Sequence, residues 1–429
     1  MRLDKLRKVT LFFIALIFGF GALAQTGIDS PYSRFGIGNI TTRTPNARQQ
    51  AMGGIGNALA TNRFVNHANP ATYARFDSLS FLFNVGFNGT SVTYTTTKQT
   101  EEGTYAGLAY FSAGFPVTKW WHVGVGLLPA SRIGYNVIVP GVSDQGVNFN
   151  KIYEGKGGLN QLYFGNAFSL SKNLSLGVNF NYTFGKITSA SLLSFPDSSF
   201  MATTKVESRV MANDFSLDYG LFYTTKLSDK DFIHFGASFG QKMNLNVTRE
   251  YLIQSQFGGV DGDVEYVLDT ILYIPKQKGT LLLPPKAGLG ISYEKSNKWL
   301  AGIDFNWQNW EKYELYNERD SLINSWNIAV GGQYTPNHSS ISGYWKRVTY
   351  RTGARYNQTY LKFNGQPINE FGISFGMGLP LPRSLTTVDL SLEVGRRGTM
   401  AENLIRETFV NVTVGISIYE RWFVKSRYN

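Results

Sequence analysis

The sequence has no cysteine and only four histidines among 429 residues. The first absence excludes a disulfide framework, thiol chemistry and cysteine-ligated metals. His67, His122, His234 and His338 lie far apart, and none falls in a ligand spacing such as H-x-x-x-H, so neither a metal nor a cofactor is expected. Beyond the first 24 residues no apolar run is long enough to cross a bilayer as a helix, which takes roughly 20 residues. Charge is also scarce, at 17%, and the net +11 is carried without a Lys/Arg-rich run, which argues against a nucleic-acid partner. What is abundant is aromatic side chain, at 15%, and alternation.

Arg2, Lys5, Arg7 and Lys8 precede an apolar run from Val9 to Phe20, and Ala22 and Ala24 supply the small residues of a signal-peptidase site. Residues 1–24 therefore read as a secretory signal. From residue 78 onward the period is two. In "NLSLGVNFNYTF", Leu174, Leu176, Val178, Phe180 and Tyr182 point one way, and Ser175, Gly177, Asn179, Asn181 and Thr183 the other. The row from Val410 to Ile418 alternates in the same manner, as does that from Val388 to Val394.

Fourteen strands are predicted, at 79–96, 104–115, 120–136, 158–170, 174–186, 205–225, 231–248, 284–294, 299–312, 323–334, 341–356, 369–379, 385–396 and 407–418. Connections after even-numbered strands are brief ("PVTK", "SKN", "KLSDK", "KSNK", "TPNHSS", "PLPRS"), and most of the others are long, the one from Glu250 to Leu283 above all. Short turns alternating with long loops are the asymmetry of an outer-membrane barrel, and an even strand count leaves both termini in the periplasm. Trp120, Trp121, Trp299, Trp307, Trp310, Trp326 and Trp422 fall near strand ends, where interfacial girdles lie; Trp345 fits less well, since its parity matches the lumen. A secreted β-sandwich would also alternate, but neither the single-face apolarity of so many strands nor the periodic loop lengths belongs to it. The fold class expected is all-β, a 14-stranded antiparallel transmembrane barrel, with outer-membrane lipid around it and barrel-assembly machinery as its partner during insertion.

The segment before the first strand breaks the pattern. "ARQQAMGGIGNALATNRFVNHANPATYAR" is rich in Gly, Ala and Asn and does not alternate. It resembles the N-terminal hatch of FadL-type outer-membrane transport proteins, in which a small-residue helix precedes Asn-Pro-Ala; here the motif is Asn69, Pro70 and Ala71, with Gly53 and Gly54 upstream. The similarity extends to "GVGLLPASRIGY", "GKGGLNQLYFGNAFSLSKNLSLGVNFNYTFG" and "VGISIYERWF", and so covers most of the chain. Physics asks for such a segment independently, because eight strands are about what wall side chains can fill and fourteen leave an open lumen. Pro70 is expected to end the helical stretch and stiffen the approach to strand one, and Asn69 to bond neighbouring backbone. The domains expected are a signal at 1–24, a hatch at 25–77, the barrel at 78–423 and a periplasmic tail at 424–429. Arg34, Arg43, Arg48, Arg63 and Arg75 of the hatch are expected to dock against lumen carboxylates at Asp214, Asp218, Asp304, Asp389 and Glu393. The lumen also carries Arg347, Arg351 and Arg355 on one face of strand eleven.

No catalytic motif survives inspection. "GISFG", from Gly372 to Gly376, matches a nucleophile pattern, but Phe371, Ile373, Phe375 and Met377 continue an outward strand row where an elbow needs a turn and a helix. Ser374 reads as a small lumen residue. The family resemblance implies passage of hydrophobic or amphipathic small molecules, released through a lateral opening where the third strand kinks. Pro129, which has no N–H for a ladder, marks that kink, with Ser131 and Gly134 after it. The rival reading is a non-transporting barrel subunit of a secretion or barrel-assembly machine, an outer-membrane protein complex, since fold alone does not set function. The mature chain is predicted to begin at Gln25 and to fractionate with the outer membrane, migrating faster on unheated gels than on heated ones. An intact leader retained in the inner membrane would overturn this.

Overall fold

The computed structural model describes residues 30–40, 46–197, 201–257, 266–382 and 384–421. The leader, the tail, Arg43 and Trp422 lie outside the described residues. Fourteen antiparallel strands close into one barrel: β1 (Ser80–Thr95), β2 (Thr100–Pro116), β3 in two pieces (Trp121–Pro129 and Ser131–Val142), β4 (Asn148–Ser169), β5 (Leu174–Ser194), β6 (Thr203–Lys226), β7 in two pieces (Asp231–Gly240 and Met243–Phe257), β8 in two pieces (Tyr266–Leu283 and Lys286–Lys295), β9 (Trp299–Gln308), β10 (Ser325–Tyr334), β11 (Thr349–Phe363), β12 (Gln366–Pro380), β13 (Thr387–Arg397) and β14 (Arg406–Arg421). Closure is between β1 and β14, in continuous register from Ser80↔Arg421 to Thr95↔Arg406. Both described ends of the barrel thus lie at the short-turn end, which is periplasmic in an outer-membrane barrel.

The alternation sorts the side chains as expected. On β14, Val410 and Val412 are exposed outward while Phe409 and Thr413 are buried inward. Phe371, Ile373 and Phe375 of β12 form an outward row, with Ser374 buried between them. An apolar outer face built from alternate residues is what a bilayer requires of a closed barrel, so this is an outer-membrane β-barrel.

The strands differ in length, and that shapes the outer end. Spanning takes about 9–11 residues; β9 and β10 have 10 each, whereas β4, β5 and β6 have 22, 21 and 24. The segments expected as long loops after β3 and β7 are largely strand. The outer pieces of β3, β7 and β8 pair with these extensions, so a curved sheet of β3-β4-β5-β6-β7-β8 rises above one side of the barrel. Lys205, Glu207, Arg209 and Glu250 form ion pairs on this sheet, chemistry that belongs outside hydrocarbon. The extension escaped a search for alternation because both faces of Tyr266–Lys276 are exposed, so neither needs to be apolar throughout. β8 splits at Pro284 and Pro285, which have no N–H for the ladder.

Two further differences have local causes. Residues 341–348, expected to open strand eleven, contain a helical turn at Tyr344–Arg347, so Trp345 and Arg347 precede β11 and do not lie on its face. Trp310 is not part of a girdle. It is fully buried in the outer lumen, stacked on Tyr360 with ring centroids 4.4 Å apart, in a packed cluster with Tyr32, Leu245, Leu281 and Leu361.

Candidate functional site

Residues 30–40 and 46–77 lie within the barrel, and their backbone is met by groups on the wall. Asp304 Oδ2 on β9 accepts from the N–H groups of Gly56 and Asn57, at 2.6 and 2.7 Å. Gly53 N donates to Ser374 Oγ at 2.8 Å, which gives the serine of the failed nucleophile motif its role. Asn69 is wholly buried; its Nδ2 donates to Asn57 O at 2.7 Å and to Leu221 O on β6 at 3.0 Å, and its Oδ1 accepts from Ala71 N at 3.1 Å. The last bond is an N-cap. Pro70 therefore starts a 3-10 helix, Pro70–Arg75, where the sequence had it end a helical stretch: proline at the first helical position loses no hydrogen bond. The small-residue helix expected upstream is confined to Ala47–Gln50, after which Gly53 and Gly54 turn the chain at φ +69° and +89°.

Glycines on the wall let this backbone come close. A Cβ at Gly177 or Gly220 would sit 2.3 Å from Ala71 N or 2.1 Å from Asn69 Oδ1, and one at Gly331 or Gly353 would sit 2.1–2.2 Å from the Met52 backbone. The polar, tiny face of the alternating strands is thus a docking surface for main chain.

The lumen charges pair among themselves. Arg351 meets Asp389 at 2.6 Å and Arg355 meets Glu393 at 2.5 Å, each pair reaching from β11 to β13 across β12, over Gly378 and Gly372. Arg355 also holds Glu370 at 2.5 Å, Glu370 holds Arg397 at 2.6 Å, and Arg397 holds Glu407 at 3.3 Å, a ladder that ends on Ser30. Neither Glu370, Arg397 nor Glu407 was singled out in the sequence. Asp218 is taken by Lys286 and Asn181, each at 3.0 Å, and Asp214 by the Asn246 backbone and side chain where β7 is broken. The expected docking by hatch arginines is not what holds the segment. Arg34 stacks on Tyr153, Arg48 and Arg63 bond Thr61 and His338, and Arg75 bonds Thr224. Wall cations fixed on neighbouring strands reach the carboxylates without the entropy loss of ordering a long side chain from the segment.

The wall is interrupted at β3. β2 pairs with β3 only from Phe111↔Leu127 to Pro116↔His122. Beyond Pro129 the two strands part: Thr100–Tyr110 of β2 pair with β1, and Ile133–Val142 of β3 pair with β4. Ser131 and Arg132 pair instead with Asn39 and Ile40 of the N-terminal segment. Gly134 is also bound to it, donating to Ser33 Oγ at 3.2 Å and accepting from Ser30 N at 3.0 Å. The Arg132 guanidinium lies 4.1 Å from the Tyr105 ring and closes the gap from its two sides. Behind it is a cavity of about 150 Å³ lined by Arg132, Arg355, Glu370, Arg397 and Glu407, polar and below the 300–1,000 Å³ usual for a small-molecule pocket. No group of metal-ligating side chains occurs among the described residues.

A family model described as BamG matches residues 6–429. No curated protein matches in sequence. Among solved structures, a Pseudomonas aeruginosa FadL homologue is similar at TM-score 0.60 and 13% identity, covering 90% of this chain and 100% of that one. The P. putida toluene transporter TodX is similar at 0.59 and 15%, covering 90% and 100%, and the Ralstonia pickettii toluene transporter TbuX at 0.56 and 15%, covering 89% and 99%. At this identity the likeness is one of fold.

Asp304→Ala leaves two buried N–H groups without an acceptor, at about 1–3 kcal/mol each. It is predicted to lower the urea midpoint and to expose residues 46–77 to added protease while heat-modifiable migration persists. Protection unchanged from wild type would remove Asp304 from the contact.

Proposed function

The chain belongs to the BamG family, and from that premise we propose that it is a non-transporting barrel subunit of an outer-membrane protein machine of the secretion or barrel-assembly class. The observation that carries this reading is the free edge of β8. Among the described residues, Tyr266–Lys276 pair with β7 on one side only; they are exposed on both faces and include Tyr266, Val267, Leu268, Ile271, Leu272 and Tyr273. Isolated proteins blunt such edges with charge, bulges or a covering loop. A long apolar edge is a surface for a partner chain, bound by strand addition with main-chain bonds for affinity and alternate side chains for specificity. The packed outer lumen supports the same reading, since Trp310 and its neighbours stand where an apolar ligand pocket would be. Residues 30–40 and 46–77 act in this reading as a permanent plug, held by Asp304, Asn69 and the wall glycines.

A second reading rests on the gap between β2 and β3. The solved relatives in fold include toluene transporters, and an opening beside Pro129 fits lateral release of a small hydrophobic molecule once Arg132 swings off Tyr105. The two readings separate in one set of measurements. Purified in mild detergent, the wild type is predicted to carry a protein partner on native mass spectrometry, and Ile271→Lys with Tyr273→Lys to lose it while the barrel stays folded. In liposomes, Arg132→Ala is predicted to leave uptake of a small hydrophobic dye at the protein-free rate. A wild type that arrives alone and an Arg132→Ala barrel that passes dye would reverse the order of the readings.

A further inference from the structure

A cavity larger than the one at the gap lies at the short-turn end, between residues 48–64 and the turns joining β8–β9, β10–β11 and β12–β13. It holds about 540 Å³. Two carboxylates reach it, and both are occupied: Asp389 by Arg351 at 2.6 Å and Glu294 by His234 at 3.1 Å. Lys295 has Asp231 at 3.7 Å. That leaves Arg48, Arg63, Lys298 and Arg347 on the lining, and among the described residues none of the four is joined to a carboxylate.

Few of their donors are used within the protein. Arg48 gives one bond, from Nη1 to Thr61 Oγ1 at 3.3 Å, and rests on the Phe64 ring at 5.0 Å; its Nε is buried with no partner. Arg347 Nε is likewise buried with no partner. Arg63 is close to His338 Nε2, at 3.0 Å, which makes that nitrogen an acceptor and the ring neutral. Burial above all, with Arg351 beside it, draws the Arg48 pKa down to about 9, while Asp389 and Glu294 pull the other way. Buried donors in native proteins are satisfied as a rule, and cations crowded into a concave site focus a field that draws in anions.

We propose that this cavity is a binding site for an organic phosphate, either the headgroup of a phospholipid in the inner leaflet or a soluble phosphate ester. Phosphate fits better than carboxylate because the guanidinium groups of Arg48, Arg63 and Arg347 share one lining, and phosphate oxygens can accept from more than one such group at once. The volume, about 540 Å³, is more than inorganic phosphate fills. The remaining lining includes Phe64, Trp299, Leu381 and Leu385, which suits the rest of an esterified ligand. Trp299 is part-exposed and packs on Tyr293 at 4.7 Å, an aromatic pair at the level where headgroups lie.

The test uses the full-length barrel in mild detergent and two pairs of substitutions, Arg48→Gln with Arg63→Gln in the lumen, and Lys298→Gln with Arg347→Gln on the turns. Lys205→Gln, on the outer extension, is the control. Barrel folding is checked by heat-modifiable migration, and the turn pair keeps the test valid should the lumen pair not fold. Phosphatidylglycerol retained by wild type and control but lost from either pair supports the lipid source. Glycerol 3-phosphate binding by calorimetry that weakens at least tenfold in either pair, with no lipid retained, supports the soluble source. Absence of both ligands from the wild type, or retention indifferent to both pairs, overturns the proposal.

Discussion

A closed barrel of fourteen strands encloses more space than its own side chains can fill, and most of this structure follows from how that space is occupied. The filling is main chain, and main chain carries an N–H and a C=O at nearly every residue that must be bonded when buried. The wall therefore has to offer acceptors and closeness together. Asp304 and Ser374 supply acceptors for Gly53, Gly56 and Asn57, and Gly177, Gly220, Gly331 and Gly353 supply the closeness. Two other glycines, Gly378 and Gly372 on β12, leave room for Arg351 and Arg355 to reach across to Asp389 and Glu393, so small lumen residues are a device that serves both the N-terminal segment and the lumen charge network.

That device explains what was legible in the sequence. An inward face of Gly, Ser, Asn and Thr opposite an outward face of Val, Leu and Phe is a period-two signal; it found part of each of the fourteen strands, and their parity where the alternation is cleanest, but not at 341–348, which is no strand. Asn69-Pro70 was legible as a backbone-bonding pair, although its geometry is a cap and not a helix end. The break at Pro129 was legible because proline has no N–H. What the alternation does not encode is which residues meet across strands. Glu370, Arg397 and Glu407 look like ordinary charges near strand ends, and only the register of β12, β13 and β14 brings them into one ladder. Trp310 resembled a girdle residue because distance along a strand says nothing of which side of the wall a connecting turn falls on. Tyr266–Ile274 did carry a signal, a density of β-branched and aromatic residues, but in a stretch where neither face is committed to a core the period vanishes.

The gap at β3 and the free edge at β8 are two ends of one object. The extended sheet begins at β3, where β2 falls away, and finishes at β8, where no further strand is added along Tyr266–Lys276. The two edges are treated differently. The first is occupied at Ser131 and Arg132 by the chain's own Asn39 and Ile40 and bridged by Arg132 on Tyr105. The second has no such cover among the described residues. The first edge is blunted by the chain's own N-terminal segment, the second only by Asp269, Pro275, Lys276 and three register shifts in the β7–β8 ladder, an asymmetry that suits a partner at β8 better than cargo at β3.

The ladder from Glu393 through Arg355, Glu370, Arg397 and Glu407 to Ser30 bears on the same choice. Its members are buried, and breaking a buried ion pair by withdrawing one neighbour costs about 3–5 kcal/mol because the charge left behind is not resolvated. Ser30, Asn39 and Gln50 of the N-terminal segment are all bonded into it, to Glu407, Arg397 and Glu393. Clearing an axial path would strip those bonds together with the ones to Asp304 and Ser374, and a small apolar molecule has no groups with which to replace them. A route through this barrel therefore has to go around the segment, by the side at β3, or not exist at all. The cavity behind Arg132 favours the latter, since at about 150 Å³ it is smaller than a small-molecule pocket and its lining mixes the paired charges of the ladder with apolar side chains.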